Sequence, residues 1–79
     1  MPTWIKINRP NVEVGSQFIL FQNLIIDIER ASGFAIQNAN SVSFIVEGKA
    51  YVVQKQLDPK AYQGILNYTQ KVTGKSLVD

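Results

Sequence analysis

The segment Val72-Thr73-Gly74-Lys75-Ser76 ends in the Gly-Lys-Ser triplet that closes a phosphate-binding P-loop. A P-loop also needs a glycine five residues before that glycine, with a strand ahead of the loop and a helix behind it, so that backbone N–H groups and a helix N-terminus converge on phosphate. Here the upstream position is Thr69, a helical pattern precedes the triplet, and only Leu77, Val78 and Asp79 follow. The expected reading is a helix C-cap followed by a tail. Asp27 and Glu29 are two apart, so on a strand they would share a face, where two carboxylates can share a proton or hold Mg²⁺. No further acid cluster or activated nucleophile accompanies them, and solvated edge charges are the ordinary interpretation. Asn67-Tyr68-Thr69 fits the N-glycosylation pattern, but it falls inside a helical stretch and no secretion signal is evident.

The chain has no Cys and no His. That removes thiol catalysis, histidine-based triads, disulfides and the usual structural zinc sites. We therefore expect no enzyme activity, no cofactor and no metal. Aromatic and basic residues are the remaining chemistry. Trp4 and Lys6 point the same way on a strand, with Arg9 following, and Lys49, Tyr51 and Lys55 share a side of a second element. Such surfaces can stack bases and hold phosphates. Lys and Arg number eight against six Asp and Glu, a net charge of +2, and the cations are scattered singly. The plainer expectation puts Tyr51 in the core, with the lysines reaching round its rim to water.

The elements that must position these residues follow from periodicity. The 79 residues suit one domain spanning 1–79, with a thin core, since a chain this size buries only roughly 60% of its unfolded surface. A hydrophobic content of 46% is that of a globular chain. No apolar run approaches a membrane span, and the first residues lack the form of a signal peptide, so the cytoplasm is the default address.

Thr3 to Ile7 reads as a strand, closed by Asn8-Arg9-Pro10-Asn11, with a break at Gly15-Ser16. Phe18 to Glu29 is the most apolar stretch. Its spacing permits a helix behind Ser16, but the β-branched run from Leu24 to Ile28 and the polar pair Gln22-Asn23 favour strands. Residues 30–34 read as a turn and 37–40 as a polar break. Ser41 to Gln56 is a hairpin about Glu47-Gly48. A two-residue loop pairs Val46 with Lys49, Phe44 with Tyr51 and Val42 with Val53, leaving Ser43, Ile45, Ala50 and Val52 on an opposite face more apolar than solvent requires.

Residues 58–73 predict a helix, with Asp58 as N-cap, Pro59 at N1, Lys71 in the last turn and Gly74 beyond the end. Ala61, Ile65, Tyr68 and Val72, flanked by Tyr62 and Leu66, form its apolar stripe. Gly64 in mid-helix implies either close packing or simple tolerance.

The series Ile5-Lys6-Ile7-Asn8, Phe21 to Glu29 and Val42 to Val53, followed by a capped helix, resembles small bacterial proteins of uncharacterised function built from a few strands and one helix. The resemblance covers most of the chain and implies a fold; it implies no activity and no site residues. The expected fold is α+β, an antiparallel sheet of four or five short curved strands with one C-terminal helix packed on it; the rival is β-α-β-β-α with a helix at 17–29.

The expected function is a non-catalytic protein–protein interaction module, self-associating as a homodimer or joining another protein through Ser43, Ile45, Ala50 and Val52. The alternative is a single-stranded nucleic-acid binder using Trp4, Lys6, Arg9, Lys49 and Lys55. Neither a membrane nor a small-molecule partner is indicated.

Overall fold

A computed structural model describes residues 2–38, 40–75 and 77. The fold is α+β. The described residues form seven strands in two antiparallel sheets and one C-terminal helix: β1 (Trp4–Asn8), β2 (Asn11–Val14), β3 (Gln17–Leu20), β4 (Asn23–Asp27), β5 (Ala31–Asn38), β6 (Ser41–Val46), β7 (Lys49–Gln54) and α1 (Pro59–Thr73). The larger sheet has the order β3-β2-β7-β6-β5, and β1 pairs with β4 in a smaller one. The strand reading of 17–29 therefore holds over the helical rival, with one short 3₁₀ turn at Ile28–Arg30.

The first four strands are a single hairpin, bent in the middle. Every pair from Trp4↔Asp27 to Val14↔Gln17 keeps the same register, and Gly15-Ser16 makes the two-residue turn with Gly15 at φ 64°. The bend sits at Arg9-Pro10. Arg9 takes a left-handed φ of 52°, a conformation uncommon for a residue with a Cβ. Its consequence is a change of parity. Before the corner the odd residues Ile5 and Ile7 face inward; beyond it the even residues Pro10 and Val12 do. The hydrogen bonds change phase too, with Arg9 N–H donating to Gln22 O at 2.8 Å and Phe21 N–H to Pro10 O at 3.0 Å. One hairpin can thus fold its β1/β4 half over the core while its β2/β3 half extends the larger sheet.

The β6–β7 hairpin has the expected register, with Val46↔Lys49, Phe44↔Tyr51 and Val42↔Val53 paired. Glu47 and Gly48 both take positive φ, 52° and 82°, as a type I′ turn requires. On the core face Phe44 stacks on Tyr51 with ring centroids 5.4 Å apart and packs against Phe34 at 5.9 Å. The core joins these to Ile7, Ile26, Ile28, Val42 and Val53, and α1 closes it with Ala61, Tyr62 and Ile65.

The helix has the expected ends. Asp58 Oδ1 accepts from Ala61 N–H at 3.0 Å, and Gly74, at φ 74°, donates to Gln70 O at 2.8 Å. Gly74 is thus the left-handed C-cap; Ser76 of the Gly-Lys-Ser triplet lies outside the described residues.

Three expectations are corrected, and an alternative left open at Gly64 is decided. Seven strands replace four or five, because Asn11–Val14 and Ala31–Asn38 are strands in their own right. Residues 31–38 are an edge strand on β6 rather than a turn and a break; register shifts around Ser32 and Gln37 absorb the irregularity that read as loop. Val72 is 61% exposed and Thr69 takes its place on the buried side of α1, donating its hydroxyl to Leu66 O at 2.9 Å. Gly64 has no neighbour that an added Cβ would meet, so it reflects tolerance and not close packing.

Candidate functional site

The outer face of the larger sheet, opposite α1, is assembled by register. Side chains of directly paired residues share a face, and Asn11, Val52 and Ser43 form one row while Ala50 pairs with Ile45 in the next. The structure thus brings Ser43, Ile45, Ala50 and Val52 together. Their exposure is uneven: Ile45 is open, Ser43 and Ala50 are half-buried, and Val52 is only 9% exposed. Open apolar surface is concentrated further along, on β3, where Phe18 is 54% and Leu20 is 56% exposed.

β3 falls mostly within the stretch that reads in sequence as the most apolar, and no candidate site residue was placed on it. It is an edge. Its ladder runs to β2 alone, all four residues are exposed, and none is charged. The Phe21–Pro10 hydrogen bond fixes the phase of the ladder, so alternation places Ile19 and Gln17 in hydrogen-bonded pairs with β2. The N–H and C=O groups of Phe18 and Leu20 therefore point away from β2, to the free side. Natural edges are usually blunted by lysine, proline, a bulge or a covering element; this one has no such guard over its four residues.

Between the end of β5, the start of β6 and the end of β7, the outer face is hollowed to about 580 Å³. Val52 and Ser41 lie in this hollow, Ser41 only 4% exposed, and the remaining lining is Phe18 and a set of carboxamides: Asn11, Gln37, Asn38, Asn40, Gln54 and Gln56. No charged side chain lines it.

The carboxylate pair takes a different form from that expected. Asp27 ends β4, and Glu29 lies in the 3₁₀ turn rather than on the same strand face. Asp27 Oδ1 caps that turn, accepting from Glu29 N–H at 3.1 Å and from Thr3 N–H at 3.0 Å, while Glu29 Oε2 accepts from the Thr3 hydroxyl at 2.5 Å. The pair ties Thr3 to the turn, a structural use of both acids. Among the described residues no group of three or more acidic ligands could hold a metal ion. Nearby, burial raises the Tyr68 hydroxyl above the usual tyrosine range, and the negative charges of Glu29 and then Asp27 raise it further.

The aromatic and basic residues are spread over several places. Trp4, 63% exposed, and Lys6 project from the outer side of the smaller sheet beside Ile25, and Arg9 is at the corner. Trp4 and Lys49 border one shallow hollow, where Arg30 is matched by Asp27 and Glu47; Arg30 and Glu47 are themselves paired at 3.0 Å. Lys55 follows the far end of β7, its ammonium 5.9 Å from the Tyr62 ring. Tyr51 is stacked on Phe44, as the plainer expectation had it. The structure therefore joins Trp4 with Lys6 and with Lys49, and separates Lys55 from them by the length of a strand.

No helix among the described residues is long and apolar enough to cross a membrane. No family profile, no curated protein and no solved structure matches this chain.

Proposed function

We propose that the chain is a non-catalytic self-association module, a homodimeric subunit that pairs edge to edge through β3. The observation that carries this reading is the state of β3: an uncharged strand, apolar at Phe18, Ile19 and Leu20, exposed on both faces, with one row of backbone groups unpaired. An unguarded edge recruits another strand, because main-chain hydrogen bonds supply affinity and alternate side chains supply the fit.

The same strand from a second copy satisfies both requirements by symmetry. With Phe18 and Leu20 presenting the free backbone groups, an antiparallel two-fold pairs Phe18 with Leu20 of the second copy, and the reciprocal pair completes four hydrogen bonds. Ile19 then faces its own counterpart across the axis as a non-hydrogen-bonded pair, at a Cα separation of about 4.5 Å. The outer faces of the two larger sheets become continuous, and Phe18 packs beside Leu20 of the second copy. Ala50 and Val52, two strands from that seam, and Ser43 and Ile45, three strands from it, share its outer face.

The register is testable because the chain has no cysteine of its own. Ile19→Cys places two thiols at a separation that disulfide geometry accepts. Mild oxidation is expected to yield a crosslinked dimer from Ile19→Cys and none from Gln63→Cys on the exposed side of α1. Light scattering across a dilution series is expected to give twice the 8.9 kDa chain mass. Leu20→Lys, which puts a charge on the edge, is expected to leave a folded monomer. A wild-type monomer at the highest concentrations, or equal crosslinking of both cysteine variants, refutes the pairing.

A further inference from the structure

The hollow on the outer face has a lining whose chemistry is specific in what it includes and in what it lacks. A volume of about 580 Å³ is within the range of small-molecule sites. Its polar groups are neutral carboxamides, each with two N–H donors on one arm and a carbonyl acceptor on the other. Asn11 of β2, Gln37 of β5, Gln54 at the end of β7 and Gln56 just beyond it are gathered at one end of the sheet by its register, and Phe18 adds an exposed aromatic ring. Asn38 Oδ1 accepts from Asn40 N–H at 2.7 Å, which shapes the turn beside the hollow.

This set discriminates among ligand classes. A nucleic acid or any phosphate ester needs cations, and none lines the hollow. A peptide strand draws its affinity from a sheet edge, and the hollow lies on a sheet face. A neutral carbohydrate presents vicinal hydroxyls that both donate and accept, matching carboxamide arms, and an apolar C–H face that matches an aromatic ring.

We infer that the hollow bounded by Asn11, Gln54, Gln56 and Phe18 binds a neutral oligosaccharide, with the amides bridging adjacent hydroxyls and Phe18 underlying a sugar ring. The hollow lies within one chain but shares Phe18 with the β3 seam, so the sugar titration and the oligomeric mass are read as separate measurements.

The test uses the full chain labelled with ¹⁵N and resolves the side-chain NH₂ signals of Asn and Gln. Cellohexaose, laminarihexaose and chitohexaose are each added to about 5 mM, above the millimolar dissociation constants expected of a shallow neutral site. A decathymidine oligonucleotide and an uncharged decapeptide serve as class controls. At least one hexasaccharide is expected to shift the NH₂ signals of Asn11, Gln54 and Gln56, and Gln54→Ala and Asn11→Ala are each expected to weaken that binding about tenfold, the loss of a well-made pair of hydrogen bonds. Gln54 is on β7, which does not pair with β3, so for Gln54→Ala the oligomeric mass serves as an unchanged reference, and retained signal dispersion reports an intact fold. No shift with any of the three sugars overturns the inference. So do shifts centred on Trp4 and Ile25, or preferential binding of the oligonucleotide or the peptide in the hollow.

Discussion

Removing the Asp58 carboxylate should cost this domain more than an ordinary N-cap loss. The side chain is 6% exposed and has two unrelated partners: Oδ1 accepts from Ala61 N–H at 3.0 Å, capping α1, and Oδ2 accepts from Asn8 N–H at 2.7 Å, at the end of β1 next to the corner of the long hairpin. Loss of a cap alone costs about 1 kcal/mol. The second bond is to an ionised acceptor, and its loss leaves a half-buried backbone N–H without that partner, a further cost of roughly 1–3 kcal/mol. Asp58→Ala should therefore destabilise the fold by about 3 kcal/mol, a large share of the total for a small domain, and lower Tm by about 15 °C.

Asp58→Ser separates the two contributions. Its hydroxyl can cap the helix but has no second oxygen for Asn8, so it should recover about 1 kcal/mol and no more. Urea titrations followed by far-UV circular dichroism give both values from the midpoints, provided the slope is unchanged. A loss below about 1 kcal/mol for Asp58→Ala, or full recovery by serine, would show that the bond to Asn8 adds nothing to the cap and would refute the assigned clamp between helix and hairpin.

Two further outcomes follow from particular residues. Gly64→Ala should stabilise the domain by up to about 1 kcal/mol, because the helix interior gains a better former and no heavy atom lies within 4 Å of the added Cβ; a loss in the same urea titration would reveal a contact there. The Tyr68 hydroxyl titrates above its ordinary value of 10.0 in the fold. The unfolded chain therefore releases the proton first, so the stabilisation is complete below about pH 10 and is lost as pH rises through the folded value. Tyr68→Phe should flatten the stability profile above pH 10 relative to wild type, and parallel profiles for the two proteins would contradict the assignment.

The parts of the fold legible in the sequence are those whose signals are local. Asp58-Pro59 and Gly74 bracket α1 because capping is decided within a few residues of each end. The β6–β7 register is equally local: a two-residue loop and strict alternation admit few pairings, even though Glu47 must accept a positive φ. β5 was not legible, because Ser32, Gly33 and the polar end at Gln37 and Asn38 carry turn residues; a strand forms there because β6 offers a whole edge, and bulges absorb the poor fit. Asp27 and Glu29 were read on one strand face because nothing local announces the 3₁₀ turn that separates them. The four residues Ser43, Ile45, Ala50 and Val52 do share a face, as alternation implied. Which of them stays open depended on the hollow around Val52, a long-range matter.

The least local feature explains where the open surface lies. Had the first hairpin run straight, one of its faces would carry both Ile5 and Ile7 and, further along, Glu13, and no single core could accept that mixture. The left-handed turn at Arg9 shifts inward parity from odd to even residues, so that Ile5 and Ile7, then Pro10 and Val12, all face inward. The same corner turns the β2/β3 half away from the β1/β4 half and into the larger sheet. α1 packs chiefly on β1, β7 and β6, and the tip of the hairpin projects past that cover. The exposed Phe18, Ile19 and Leu20 are thus the geometric consequence of one hairpin serving two sheets under a helix long enough for only part of them. Three large apolar residues on such an overhang, with no charge among them, leave an edge open to another strand, which is the ground for the pairing proposed through β3.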